Sequence, residues 1–299
     1  MNLAARLLTL LISWTCLWSL TGCNSPSENP IHTDSGILWQ APSSESWLVV
    51  YPCFGCDAMH SESDFGIHQL AQSAGISVSY QSLNRRLWLE DSTAANELTR
   101  LQQLWKDLGQ PERVFFGGFS SGGNMALLLA DDWAESGMPL SGVFAVDSPI
   151  DHEKLYERSQ VVVAELPEDS PAFPEAQMII AISEQRFGQF PDVFDGLKSH
   201  SPFLRKTANT DQLSNLHNAS IRLYTEPDTI WWQEHRAASY EDLNAYSFRE
   251  LRRVYQEIYP NSDISLIQTE GKGFRPDGSR HPHSWSIVDQ SALVDWMLE

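Results

Sequence analysis

The chain of 299 residues is 42% hydrophobic and 11% aromatic, which allows one substantial core and excludes a disordered or collagen-like protein. Its 39 acidic and 20 basic residues give a formal net charge of -19. Nucleic acids and anionic lipid headgroups bind to basic surfaces, so this charge argues against either as the main partner.

The first 22 residues have the composition of a targeting segment. Arg6 precedes the apolar run LLTLLISWTCLWSL, which is typical of a secretory signal and short for a bilayer span. The run ends in Leu-Thr-Gly-Cys at residues 20–23, which resembles the lipobox of bacterial lipoproteins. The resemblance implies cleavage before Cys23 and attachment to the membrane of the cell envelope through a lipid on Cys23, with Asn24 favouring the outer membrane. The alternative is an ordinary signal peptide with an incidental cysteine.

Residues 23–36 are polar and rich in Pro and Ser, as expected of a tether, so the folded domain is predicted to span residues 37–299. Short apolar runs that indicate strands occur at 46–52, 75–83, 113–119, 141–149, 220–228 and 263–271. Helical patterns separate several of these runs, for example over residues 93–109 and 123–137. This alternation predicts a mostly parallel sheet with helices on both faces. Residues 151–218 fit the alternation poorly and indicate an insertion or cap.

A glycine-rich segment follows the third of these strands. Residues 118–122 read Gly-Phe-Ser-Ser-Gly, the G-x-S-x-G pattern of a nucleophile elbow, in which Ser120 occupies a strained turn between strand and helix. Glycine is required at 118 and 122 because a side chain there would collide with the neighbouring strand and helix. The alternative is a tight turn without chemistry.

A serine hydroxyl needs a base and an acid to become nucleophilic. The elbow predicts these groups later in the chain, in the order Ser, acid, His. Asp228, at the end of the fifth run, is the favoured acid, although it is also a plausible helix N-cap; Glu226 and Asp147 are the alternatives.

The base is expected on the loop after the sixth run. That loop contains His281 and His283, and His283 is favoured because it is closer to the last helix.

From Ser46 to the C-terminus, the chain resembles an α/β-hydrolase of the serine esterase or lipase type. The resemblance implies a doubly wound sheet with an inserted cap, and acyl transfer from a small-molecule ester to Ser120 and then to water. It implies no metal or organic cofactor. In that family the N–H after the nucleophile, here that of Ser121, helps to form the oxyanion hole. A second N–H comes from an earlier loop, here that of Phe54 or Cys53, in a segment where this chain lacks the His-Gly-Gly that is usual in the family.

Cys53 and Cys56 have C-x-x-C spacing, and in an oxidising envelope they could pair as a disulfide that stiffens this loop. They make a poor zinc site, since partner cysteines and a nearby histidine cluster are lacking. The same spacing supports one alternative function, a thioredoxin-like redox protein. A second alternative is a non-catalytic binding lipoprotein on a hydrolase scaffold.

Overall fold

A computed structural model of the chain describes residues 29–83 and 86–299. The predicted signal segment and Cys23 lie outside the described residues. Within them, none of the helices combines the length and apolar character needed to cross a membrane.

One eight-stranded sheet forms the centre of the molecule. Its strands are β1 (Ile31–Thr33), β2 (Gly36–Trp39), β3 (Ser46–Tyr51), β4 (Ile76–Gln81), β5 (Arg113–Phe119), β6 (Gly142–Val146), β7 (Ser220–Thr225) and β8 (Ile264–Gln268). Their spatial order is β1-β2-β4-β3-β5-β6-β7-β8. β2 is antiparallel to both β1 and β4, and every pairing from β4 across to β8 is parallel.

The six predicted strands are confirmed as β3 to β8. Every residue of β3, β4 and β6 is buried, as expected where helices cover both faces of a parallel sheet. The predicted runs are slightly longer than the strands, because turn residues such as Asp147 and Asp228 extend them.

Ten α-helices occur in the described part of the chain: α1 (Ala58–Phe65), α2 (His68–Ser73), α3 (Asp91–Asp107), α4 (Ser121–Glu135), α5 (His152–Glu165), α6 (Phe173–Phe187), α7 (Val193–Ser199), α8 (Thr229–Arg236), α9 (Asn244–Ile258) and α10 (Gln290–Leu298). Apolar side chains of α3, α4 and α9 form one core layer with the sheet. Those of α1, α2 and α10 form a second layer with other strand residues. The mostly parallel doubly wound sheet predicted from the sequence is confirmed.

The sheet begins before Ile37. β1 and β2 pair as a hairpin, with Ile31 opposite Leu38, inside the segment that the sequence indicated as a tether. All three residues of β1 are exposed. Because neither face of this strand is buried, its sequence lacks the alternation of apolar and polar residues that indicates a strand.

Three helices, α5 to α7, lie between β6 and β7, where the sequence indicated an insertion or cap. They form a smaller core of their own around Tyr156, Ile179 and Leu197, which Leu87 and Trp88 from the segment before α3 join. This helical unit therefore packs against the segment that precedes α3.

Candidate active site

Ser120 lies at the tip of β5, where the chain turns into α4. Its backbone has φ 56° and ψ -128°, an unusual conformation for a residue with a side chain. Its N–H donates to Val146 O of β6 at 2.9 Å, and its carbonyl accepts from Gly123 N at 3.0 Å. These bonds fix the strained turn at the carboxyl ends of the parallel strands, where open α/β sheets usually bind ligands.

Two glycines make this turn possible. A Cβ added at Gly118 would lie 2.2 Å from the Gly122 carbonyl carbon, and one at Gly122 would lie 2.4 Å from Tyr51 O. Both gaps are far below van der Waals contact and involve backbone atoms. The collisions expected from the sequence are therefore present at both positions.

His283, on the loop between β8 and α10, is brought beside Asp147. Its Nδ1 lies 2.6 Å from Asp147 Oδ2, and its ring packs on Phe119 with the centroids 4.5 Å apart. Because Nδ1 faces the carboxylate, Nε2 is the ring nitrogen left for a second partner. His283, Asp147 and Ser120 line the same cavity.

Asp147 directly follows β6 and is held from several sides. Its backbone N–H donates to Tyr224 O at 2.8 Å, and its carbonyl accepts from Asn244 Nδ2 at 2.8 Å. Its second carboxylate oxygen, Oδ1, accepts from the Thr225 hydroxyl at 2.9 Å. The residue has φ 43°, so these contacts maintain a backbone conformation that is uncommon for a non-glycine residue. The Asp147 carboxylate is thus fixed before any ligand binds.

Asp228, the acid favoured by the sequence, has a different environment. Its Oδ1 accepts from Trp231 N at 3.0 Å and caps α8, and its Oδ2 pairs with Arg280 at 2.7 Å. The expectation that Asp228 contacts the histidine is therefore wrong in this structure, and its alternative role as an N-cap is the one observed.

Glu226, the second alternative acid, is almost completely buried and anchors the loop that carries the histidines. It accepts hydrogen bonds from Thr269 Oγ1 at 2.9 Å, Lys272 N at 2.8 Å and Gly273 N at 3.2 Å. It also pairs with Arg280 at 2.5 Å. Glu226 thus anchors this loop, whereas the carboxylate that contacts the His283 ring is that of Asp147.

His281 packs against Trp231, with the ring centroids 4.6 Å apart, and its ring centroid is 6.2 Å from that of His283. Burial is the main cause that lowers its pKa to about 3, and nearby Arg275 and His283 contribute. The His281 ring is thus uncharged near neutral pH.

Candidate oxyanion donors come from two segments. The N–H of Ser121 belongs to the first turn of α4, whose N–H groups lack intrahelical acceptors. Cys53 and Phe54, after β3, line the cavity together with Ser121. Cys53 and Cys56 form a disulfide with their Cα atoms 5.1 Å apart, and Cys56 N donates to Cys53 O at 3.0 Å. The loop is therefore closed by both a covalent and a hydrogen bond.

The cavity next to Ser120 has a volume of about 550 Å³. Helices α5 and α6 contribute a largely apolar wall, formed by Leu155, Val162, Ala176, Met178 and Ile179. Trp232, one of the two adjacent tryptophans of α8, also lines it. The arrangement can hold an apolar group beside a hydroxyl, an imidazole and a carboxylate, a set that is suited to nucleophilic acyl transfer.

No model of a known protein family matches this sequence, and no curated protein matches it either. Solved structures do resemble its fold. One is FphF of Staphylococcus aureus, a fluorophosphonate-binding serine hydrolase in a substrate-bound form, with a TM-score of 0.54 and 10% sequence identity. That likeness covers 91% of this chain and 97% of the other.

Two further structures have similar scores. An esterase of Pyrococcus furiosus has a TM-score of 0.54 at 13% identity, covering 92% of this chain and 88% of its own. A hormone-sensitive lipase from a metagenome library has a TM-score of 0.50 at 10% identity, with coverages of 92% and 87%. At these identities the likeness concerns the fold. The sheet order, the elbow at the end of β5 and these neighbours together show that the chain has the α/β-hydrolase fold.

Proposed function

We propose that this chain is a serine hydrolase that cleaves carboxylic esters. Ser120 is the nucleophile, His283 the general base and Asp147 the acid that orients it. The observation that carries the proposal is the 2.6 Å contact between His283 Nδ1 and Asp147, in a cavity that Ser120 also lines. The fold neighbours described as a serine hydrolase, an esterase and a lipase agree with this reaction class.

In the proposed reaction, His283 Nε2 accepts the Ser120 proton while Oγ attacks the ester carbonyl carbon. The N–H of Ser121 and one from Cys53 or Phe54 stabilise the negative oxygen of the tetrahedral intermediate. As the carbon–oxygen bond to the alcohol breaks, His283 gives its proton to the leaving group. A water molecule then loses a proton to His283 and attacks the acyl carbon. The bond to Ser120 Oγ breaks, the acid leaves, and His283 returns the proton to Oγ.

We further propose attachment to the cell envelope through an acylated Cys23. The support is the Leu-Thr-Gly-Cys segment at residues 20–23 after an apolar run, followed by a polar tether. Intact-mass analysis of protein purified from membranes tests this, since acylation would add lipid mass at Cys23.

The hydrolase proposal is tested by a fluorophosphonate reaction with the purified protein, followed by peptide mapping. We expect one adduct, on Ser120, and none in Ser120→Ala. The adjacent Ser121→Ala is a matched control, since it also loses one hydroxyl but keeps the proposed backbone donor. We expect that it is labelled and hydrolyses para-nitrophenyl butanoate.

An absence of labelling in a folded protein would contradict the proposal and favour a binding role on the same scaffold. The fold gives no support to the thioredoxin-like alternative, because Cys53 and Cys56 belong to a loop of the eight-stranded sheet that borders the Ser120 cavity.

A further inference from the structure

The cavity beside Ser120 is lined by charged side chains beyond those of the proposed reaction. Three arginines line it: Arg158 of α5, Arg236 of α8 and Arg275 of the loop after β8. The carboxylates of Asp147, Glu175, Glu226 and Asp242 line it as well, and two of them pair with two of the three arginines. The three differ in whether a carboxylate already neutralises them.

Two of these arginines have partners within the protein. Arg158 lies 3.9 Å from the Asp242 carboxylate and donates to Ala237 O at 2.7 Å. Arg236 lies 3.2 Å from the Glu175 carboxylate and donates to Pro171 O at 3.0 Å. Both therefore help to hold the walls of the cavity together.

Arg275 is different. Among residues 29–83 and 86–299, no carboxylate lies within 4 Å of its guanidinium. Asp277, in the same turn, is close enough for Arg275 to contribute to the lowering of its pKa, but the Asp277 carboxylate accepts mainly from the Ser279 hydroxyl and N–H. Arg275 is thus an exposed cation at the cavity, and no carboxylate of the described residues pairs with it.

The backbone of Arg275 is fixed. Its N–H donates to Ser279 O at 2.9 Å, and its carbonyl accepts from Gly278 N at 2.9 Å. Phe274 and Arg280 pair across the same hairpin, which Glu226 anchors through Gly273. These backbone bonds fix the point from which the exposed Arg275 side chain extends at the cavity.

We infer that the ester substrate carries a carboxylate that binds Arg275 and an apolar group that packs on the α5–α6 wall. A planar guanidinium can bind a carboxylate through two parallel hydrogen bonds. One arginine also balances one negative charge, whereas a phosphate dianion would leave excess negative charge beside Asp147, Glu175 and Glu226. The inference rests on the proposed function, because it concerns the substrate of the same cavity.

The experiment uses two matched pairs of esters. In the first, para-nitrophenyl hydrogen succinate and para-nitrophenyl methyl succinate differ by a carboxylate in the acyl part. In the second, para-carboxyphenyl butanoate and its methyl ester differ by a carboxylate in the alcohol part. We expect wild type to prefer the acid in one pair, and Arg275→Gln to lower kcat/KM for that acid about tenfold, with the neutral ester changed less than about twofold.

Arg275→Lys should restore part of the preference, since it keeps the charge but lacks the planar fork. The control is Arg252→Gln, an exposed arginine in the second half of α9 that does not line the cavity. We expect it to change neither member of a pair. Equal effects of Arg275→Gln on acid and neutral esters, or no preference in wild type, would overturn the inference.

Binding of succinate, measured by calorimetry, tests the same contact without turnover. We expect wild type to bind it about tenfold more tightly than Arg275→Gln. Equal binding, or none, would also overturn the inference. If no ester is hydrolysed but the difference in succinate binding persists, the hydrolase proposal fails while the anion site stands.

Discussion

Among single residues, the contact between Asp147 and His283 determines which nitrogen of the imidazole carries the proton. A carboxylate 2.6 Å from Nδ1 keeps a proton on that nitrogen, so Nε2 is free to accept the proton of Ser120. In the proposed reaction, the Asp147 carboxylate would also stabilise the imidazolium. Two residues of the neighbouring strand β7 hold Asp147 in this position: the Thr225 hydroxyl donates to its carboxylate, and the Tyr224 carbonyl accepts from its N–H.

Asp147→Asn tests this role against that of Asp228. The amide presents no negative charge to the imidazolium and can orient the wrong tautomer, so we expect kcat/KM to fall by about a thousandfold or more. Asp228→Asn should change kcat/KM only a few-fold, because Asn is also a good helix N-cap. Ester kinetics of both variants measure the difference. Equal losses would mean that the acid assignment is wrong.

Glu226→Gln tests a positioning residue. Its carboxylate accepts from two backbone N–H groups and the Thr269 hydroxyl, and an amide NH₂ would oppose one of these donors. We expect kcat/KM to fall about tenfold and the thermal midpoint to fall by a few degrees, since a buried donor loses its acceptor.

The rate of fluorophosphonate labelling at Ser120 distinguishes a positioning role of Glu226 from a simple loss of folded protein. It should fall with kcat/KM in Glu226→Gln even at a temperature where the variant is fully folded. The control is Glu257→Gln, which removes an exposed ion pair with Arg253 on α9 and should alter neither property.

At the scale of elements, the loop after β3 connects the disulfide to the candidate oxyanion hole. Its cysteines enclose Phe54 and Gly55, and Gly55 has φ 80°, a conformation that favours glycine. Preorganised donors stabilise an oxyanion because they need no reorganisation during the reaction. The loop is therefore the element whose rigidity should matter most to kcat.

We expect replacement of both cysteines by serine to lower kcat about tenfold, with a smaller effect on KM, because a looser donor weakens transition-state binding more than substrate binding. Steady-state kinetics with para-nitrophenyl butanoate, before and after reduction of wild type, measure this. Unchanged constants would refute the link between the disulfide and the oxyanion hole.

Two arginines join the cap to the opposite wall of the cavity. Arg158 of α5 reaches Ala237 O just after α8, and Arg236 of α8 reaches Pro171 O just before α6. These reciprocal contacts explain how an inserted helical unit keeps a defined position above the ends of the strands.

At the scale of the whole molecule, buried histidines link stability to pH. His152 is buried, with Nε2 2.6 Å from Asn124 Nδ2, and burial lowers its pKa from the ordinary 6.5 to about 3, with His200 contributing. Between these values the unfolded chain binds a proton that the folded protein does not. The free energy of unfolding should therefore fall as the pH falls from 6.5 towards 3.

Asp132 acts in the opposite direction, because burial raises its pKa from 3.8 to about 6, so between these values the folded protein binds the extra proton.

The variant His152→Gln isolates the contribution of the histidine to the pH dependence of stability. Its free energy of unfolding should depend on pH less steeply than that of wild type, by up to about 1.4 kcal/mol per pH unit. Denaturant unfolding at about pH 6, 5 and 4 measures the slopes, and the exposed His32→Gln is the control. Parallel curves for wild type and His152→Gln would contradict the prediction.

The six parallel strands, β3 to β8, and the elbow are predictable from the sequence alone, because each depends on local information. Apolar runs mark buried strands, and the glycines at 118 and 122 are needed where the backbone approaches itself closely. The sequence also narrows the general base to His281 and His283, because both lie on the loop after the last predicted strand. Strands β1 and β2 are not among the predicted strands: β1 has no buried face, and β2 has only four residues.

The carboxylate that contacts His283 is apparent only from the tertiary structure. Asp147, Glu226 and Asp228 all follow strands at the same edge of the sheet, so sequence position ranks them poorly. The choice depends on where the loop after β8 lies. Glu226, more than forty residues earlier in the chain, fixes that loop through the N–H groups of Lys272 and Gly273 and the side chain of Arg280. The substrate cavity is also a tertiary property, because its walls come from segments that meet only when the sheet forms.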